Sequence, residues 1–260
     1  MFVSADQIRS IYHTSDIFIY SQVNYRNTTA FNLIKIKMIQ KIYYAQNGES
    51  MSKPKILQEN KDYTFRSYFE MTYEPEEILA EFGYNLVRSK LSLPKTQKPL
   101  DRIADLKDRI ERTLPRVSLT SETARRETLV APLLLEVATY YCDCQLRIEY
   151  PLAVTKWLKG NLDYLLRANQ SLLVVEAKKD DITRGFTQMA VELIALSQIE
   201  EQPFQYGAVT IGDVWRFGLL DVEAKRITED IKIYSLPDDL EALMLVLVGI
   251  VERNSLNNIV

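Results

Sequence analysis

Histidine is almost missing from this chain: His13 is the one copy in 260 residues. Imidazole-based zinc sites and Ser-His-Asp triads both need a well-placed ring, and residues 51–260 supply none. Cysteine is nearly as scarce. Cys142 and Cys144 stand in the order Cys-Asp-Cys. Strand neighbours at that spacing rarely bridge, and the four-ligand zinc pattern is absent, so reduced thiols are expected. The eight glycines never form the Gly-x-x-x-x-Gly-Lys-Ser/Thr loop of a P-loop motor. No run of 18 apolar residues occurs, so no membrane span is expected. The first residues carry Asp6 and Arg9 and lack the apolar core of a secretion signal, which points to the cytoplasm. A large charge of one sign is lacking too. The net charge of −3 gives no overall basic field, although a local patch suffices for nucleic acid. Chemistry is left to carboxylates, lysines, tyrosines or a metal held by oxygens.

What is present is ordinary globular composition, 47% hydrophobic and 26% charged. It is enough for one large domain, or one domain with an appendage. The first fifty residues stand apart. They hold one leucine, Leu33, against 31 in the remainder, and no proline. Met51-Ser-Lys-Pro-Lys reads as a start, and the Gly-Glu codons of Asn47-Gly-Glu-Ser can spell a ribosome-binding sequence. Residues 1–50 are therefore expected to be non-native or disordered sequence outside the fold, the rival reading being a genuine short N-terminal extension. Without them the chain has 27 basic and 32 acidic residues, a net charge of −5. Residues 51–118 read as an α+β appendage and 119–260 as the principal domain.

Periodicity sets the coarse elements. Tyr63–Phe69 reads as extended, Pro75–Phe82 as a helix with Glu76 and Glu77 in its first turn, and Asn85–Leu93 as a strand. Ile103, Leu106, Ile110 and Leu114 give residues 101–114 helical spacing. Thr120 or Ser121 can cap a helix to about Tyr141, with a kink or restart expected at Pro132. Strands follow at Gln145–Tyr150, Leu162–Ala168 and Ser171–Lys178. Asp180 or Asp181 caps a helix near Thr183–Gln198, with Phe186, Met189, Ala190, Leu193 and Ile194 on its apolar face. Tyr206–Ile211 and Val214–Asp221 form a hairpin turned at Gly212-Asp213. Ile231–Ser235 is a short strand and Pro237–Val251 a final helix. The order implies an α/β fold around a mixed sheet. Tyr140, Tyr141, Trp157, Trp215 and Phe217 read as packing aromatics rather than base-stacking ones.

The stretch from Gly160 to Lys179, GNLDYLLRANQSLLVVEAKK, raises a problem of charge. With a turn centred on Asn169-Gln170, facing residues sum to 339 and Asp163 lies opposite Glu176. Side chains alternate, so Asp163, Glu176 and Lys178 share one face. Leu162, Tyr164 and Leu166 share the other with Leu173, Val175 and Ala177. Two opposed carboxylates repel by up to about 1 kcal/mol even when exposed, and more where the dielectric is low. A divalent cation between them resolves the repulsion, since magnesium takes one or two carboxylates and fills its shell with water and phosphate oxygen. Lys178 can orient an attacking water or offset charge on a phosphorane-like transition state. The competing reading is a salt-bridged trio with no ligand.

These residues resemble the PD-(D/E)XK nuclease superfamily. Gly160-Asn-Leu-Asp163 is similar to its GxxD motif, with Leu162 where many members have proline. Val174-Val-Glu176-Ala-Lys178 resembles its apolar-apolar-ExK motif. Gln188 falls where RecB-like members carry QxxxY, with Glu192 at the tyrosine position. SETARRETLVAPLLLEV is similar to the first helix of type I restriction nuclease subunits, through Glu122, Arg126 and Pro132-Leu-Leu. The likeness covers roughly residues 118–215, and in a largely cyanobacterial group of proteins it reaches back to about residue 55.

The resemblance implies a restriction-endonuclease-like αβββαβ core and a Mg²⁺-dependent nuclease, with Mn²⁺ as the alternative ion. It implies Asp163, Glu176 and the Ala177 carbonyl as metal ligands, Lys178 as the aid to the attacking water, and Glu122 as an added carboxylate from the helix. Glu122 equally fits an i,i+4 pair with Arg126. Glu136 is the second choice for the helix acid. Gln188 would touch substrate or the lysine, the alternative being a helix-edge polar residue, and Arg184 reads as a solvated arginine ahead of a phosphate contact. The implied partner is DNA, with RNA as the alternative, together with a second copy or partner subunits. The rival function is an inactive module of the same fold that binds nucleic acid or protein.

Overall fold

The computed structural model describes residues 55–140, 144–168 and 172–252. The expectations for residues 1–50, Tyr141, Cys142 and the Asn169-Gln170 turn lie outside them. The described chain is α/β, a seven-stranded mixed sheet flanked by helices. Its elements are α1 (Phe65–Glu70), α2 (Pro75–Ala80), β1 (Asn85–Ser89), α3 (Ile103–Thr113), α4 (Glu122–Arg125), α5 (Ala131–Tyr140), β2 (Gln145–Thr155), β3 (Leu158–Arg167), β4 (Leu172–Ala177), α6 (Ile182–Leu196), β5 (Phe204–Thr210), β6 (Val214–Asp221), β7 (Arg226–Ser235) and α7 (Leu240–Glu252). The sheet order is β1-β7-β6-β5-β4-β3-β2. β4 runs parallel to β5 and β1 parallel to β7, and the other neighbours are antiparallel. Among the described residues no helix is long and apolar enough to cross a membrane.

Alternation along the strands divides the core in two. Tyr164, Leu166, Leu173, Val175, Ala177, Ala208, Trp215 and Phe217 pack with α3, α5 and α7 on one face. Leu165, Val174, Val209 and Leu220 pack on the other with α6, α1 and α2. Trp215 and Phe217 are core residues, as expected of packing aromatics.

Four local expectations are corrected. Residues 63–69 are not extended: a helix begins at Phe65, because Thr64 and Ser67 cap it. Thr64 N–H donates to Ser67 Oγ at 3.0 Å, and Ser67 N–H to the Thr64 carbonyl at 2.9 Å. Phe65 and Tyr68 then share the buried face. β2 runs through Pro151 instead of stopping before it, since at a sheet edge the missing N–H costs no ladder bond. β7 begins at Arg226, five residues early. Its polar middle is buried because Arg88 Nε and Arg216 Nη1 hold the Glu229 carboxylate at 2.8 and 2.7 Å. Leu162 joins the α6 cluster rather than the Tyr164 face, where β3 has outrun its ladder with β4 and meets residues 57–84 instead.

Around Pro132 the helix widens rather than breaks. Ser121 caps α4, its hydroxyl accepting from Ala124 N–H at 3.0 Å. Proline has no N–H to give and crowds the carbonyl four residues back. Arg126–Val130 form a π-helical turn between α4 and α5, and such turns often lie at functional sites.

Candidate functional site

β3 and β4 pair with partners summing to 339, as in Tyr164↔Val175 and Leu165↔Val174. The ladder stops at Tyr164↔Val175, one pair short of Asp163 and Glu176, and the Asp163 carboxylate accepts from Ala177 N–H at 2.9 Å. The parallel ladder Glu176↔Val209 and the bond from Lys178 N–H to the Thr210 carbonyl, at 2.8 Å, fix the end of β4 against β5. Asp181 starts α6 there, accepting from Arg184 N–H at 3.0 Å from a left-handed backbone (φ 52°). Gly185, in the first turn, lets Lys178 pass: a Cβ there would lie 3.0 Å from Lys178 Cγ and 2.7 Å from Val209 Cγ2.

These elements enclose a cavity of about 490 Å³. Asp163, Glu176, Lys178, Gln188 and Glu122 all line it, so five of the residues singled out in the sequence come together. Thr64, Phe65, Arg66 and Phe69 supply a wall from α1 and the residue before it. Ala177 contributes through its backbone, its N–H donating to Asp163 Oδ2 at 2.9 Å. Two candidates lie elsewhere. Glu136 is bound to Arg102 Nε at 2.5 Å on α5, and the exposed Arg184 pairs with Asp181 at 3.2 Å.

The interior acids are heavily desolvated. Glu176 and Glu192 are fully buried, and Gln188 joins them: its Nε2 donates to Glu176 Oε1 at 2.6 Å and to Glu192 Oε1 at 2.9 Å. Lys178 Nζ also pairs with Glu176 Oε1. Glu176 Oε2, Gln188 Oε1 and Glu192 Oε2 are buried with no hydrogen-bond partner. Burial pushes the Glu176 carboxyl well above the usual range, and the Glu192 and Asp163 charges add to it, against Lys178. Burial raises Glu192 to about 8. Burial also raises Asp163, against the Ala177 N–H, Arg126 and Lys178. For Lys178 burial alone would lower the pKa, but Glu176, Asp163 and Glu122 together turn the shift upward, so the ammonium keeps its charge.

Glu149 is the residue that the sequence reading missed, while Arg126 and Glu192 are named there without a role in the site. In the sequence Arg126 reads as part of the helix similar to type I nuclease subunits and as a partner for Glu122. Its Nη1 lies 2.7 Å from Glu149 Oε1 and 3.4 Å from Asp163 Oδ1, its Nε 3.4 Å from the Tyr164 hydroxyl, and its guanidinium 5.1 Å over the Tyr164 ring. The i,i+4 spacing places Arg126 and Glu122 on one helix side, but not toward Asp163 and Glu149. No residue pattern announces Glu149, whose place depends on the β2–β3 register and a left-handed backbone (φ 51°). Glu192 stands four residues after Gln188, on the same helix face, but the sequence reading does not anticipate its bond to Gln188.

The site therefore gathers Glu122, Glu149, Asp163 and Glu176 around Lys178 and Arg126. Acids exceed bases, and the most buried acid has a free oxygen, which suits a bound cation. No protein-family model matches the chain, and no curated protein matches it.

Proposed function

We propose that the protein is a metal-dependent nuclease that hydrolyses phosphodiester bonds of DNA on a restriction-endonuclease-like core. The observation that carries this is the unpartnered Oε2 of the fully buried Glu176, beside Asp163 in one cavity with Lys178. A buried carboxylate oxygen left without a donor is costly, and a cation is the partner that uses it. The succession of α4 and α5, then β2, β3, β4, α6 and β5, with β5 parallel to β4, follows the αβββαβ order.

Among the described residues no three His, Cys, Asp or Glu side chains are grouped to hold a metal by themselves. The donor set fits an ion that needs only two carboxylates, Asp163 and Glu176, with the Ala177 carbonyl, water and substrate oxygen completing the shell, as Mg²⁺ or Mn²⁺ allows. Bound there, the ion would polarise the phosphoryl oxygen and lower the pKa of a coordinated water. Lys178, held charged against Glu176, stabilises negative charge as it builds on the phosphoryl oxygens and keeps the attacking water in line. Gln188 holds Glu176 in its rotamer. The Ala177 N–H does the same for Asp163, and Phe65 and Phe69 keep bulk water from that side.

The test is cleavage of single- and double-stranded DNA, and of RNA, by the full chain with Mg²⁺ or Mn²⁺ and with chelator. Metal-dependent cutting is expected, reduced at least about 100-fold in Asp163→Asn and Lys178→Ala. Folded protein that cuts none of these and binds no metal in calorimetry would instead establish the inactive nucleic-acid- or protein-binding module. The ion pairs already closing on Asp163 and Glu176 favour that second reading.

A further inference from the structure

The flanking pairs Ile148↔Tyr164 and Tyr150↔Leu162 set Glu149 across from Asp163. The β3–β4 ladder ends at Tyr164↔Val175, and just beyond it the Asp163 carboxylate accepts from Ala177 N–H at 2.9 Å, next to Glu176 in the chain. Three acids, one each from β2, β3 and β4, thus follow one another along the cavity. The row has two gaps. Arg126 Nη1 fills the first, 2.7 Å from Glu149 and 3.4 Å from Asp163. The second is on the far side of Asp163, toward Glu176, which lines the same cavity and has one oxygen, Oε2, without a partner.

Two features separate Arg126 from an ordinary surface ion pair. Its side chain is 17% exposed and stands over the Tyr164 ring, so the guanidinium is held at one place. Its partner Glu149 adopts a left-handed backbone, φ 51°, which a residue with a Cβ rarely does without support. Such strain clusters where a side chain must be aimed. Glu149 is aimed at the guanidinium, at the mouth of the cavity that also holds Asp163 and Glu176.

We propose that Arg126 is the resident second cation of this site, positioned by Glu149, so that the row takes one divalent ion, between Asp163 and Glu176, and excludes a second. The inference rests on the metal-site reading above. Arg126 bonds its neighbours through Nη1 and Nε. The planar guanidinium has a further nitrogen, Nη2, to offer an anion drawn to the bound ion, a fork geometry suited to phosphate.

The test is Mn²⁺ stoichiometry on the full chain, read by calorimetry and by the paramagnetic signal of free Mn²⁺. The wild-type protein is expected to bind one ion. Arg126→Met leaves Glu149 and Asp163 facing each other uncompensated, and is expected to bind two. Glu149→Gln combined with Arg126→Met is expected to return to one. Two ions in the wild type would overturn the proposal while leaving the metal-site reading intact, and that result needs no variant to fold. Arg126→Met that is folded by circular dichroism yet binds one ion, with affinity within about twofold of wild type, would overturn it too. No ion bound by the wild type would overturn both this proposal and the metal-site reading.

Discussion

Glu192 is wholly inside the protein, and Gln188 donates to one of its oxygens while the other has no partner. Burial raises its carboxyl to about 8, eased by the Gln188 bond and aggravated by Asp163. In the unfolded chain an ordinary glutamate titrates near 4.3. Between those values the native state keeps a proton that the unfolded state has lost, so stability falls as pH rises from about 4.5 to 8. Glu192→Gln keeps an acceptor for Gln188 and removes the titration. A tenfold difference in proton affinity between the two states corresponds to about 1.4 kcal/mol. In chelator, the variant should therefore gain at least about 1.4 kcal/mol over wild type on going from pH 5 to pH 8. That is roughly 3–6 °C in melting temperature for a chain of this size. Parallel melting-temperature profiles for the two proteins across that range would sink the idea that Glu192 is protonated at neutral pH.

At the scale of elements, the meeting of α1 and β3 depends on Gly160. Its φ is 147°, and a Cβ there would lie 2.8 Å from the Phe65 ring and 3.3 Å from the Phe65 backbone nitrogen. The backbone has no room to give, since Phe65 opens α1 and lines the cavity. Gly160→Ala should cost at least about 1 kcal/mol in a denaturant melt, from strain plus overpacking. It should weaken Mn²⁺ binding as α1 lifts from the site. Unchanged stability would mean that α1 does not press on β3. Gly160 also marks how far the sequence could be read. The β3–β4 register was legible because Asp163, Glu176 and the alternating apolar residues fix it. The Asp181 cap and the Gly212-Asp213 turn announce themselves by residue type. The α1 helix did not, because six residues with two caps look like a strand when Tyr, Phe and Thr dominate. Nor did β1 beside β7, a parallel contact between residues about 140 apart that no local pattern encodes. The Glu149–Arg126 contact needed both the β2–β3 register and the π turn.

For the whole molecule, α6 decides what folds with what. From Gly185 to Leu196 every residue of that helix is buried, which a helix with sheet on one side alone does not achieve. Leu193 and Ile194 belong to the same cluster as Phe65, Tyr68, Ile78 and Leu79. The sheet covers one side of α6, and α1 and α2 lie against it as a further layer. β1 meanwhile extends the sheet beyond β7. Residues 55–118 therefore supply a cavity wall, a strand and a cover for α6, although in sequence they read as an appendage. A fragment of residues 119–260 retains Asp163, Glu176, Lys178, Gln188 and Arg126, but uncovers the outer side of α6. At about 25 cal/mol per Å² of apolar surface, losing partners such as Phe65, Tyr68, Ile78 and Leu79 exceeds what a marginally stable domain tolerates. The fragment should show no cooperative thermal transition, should bind a hydrophobic dye, and should bind Mn²⁺ at least about tenfold more weakly than the full chain. A cooperative melt with full-chain Mn²⁺ affinity would instead place the whole site, and the stability that holds it, in residues 119–260.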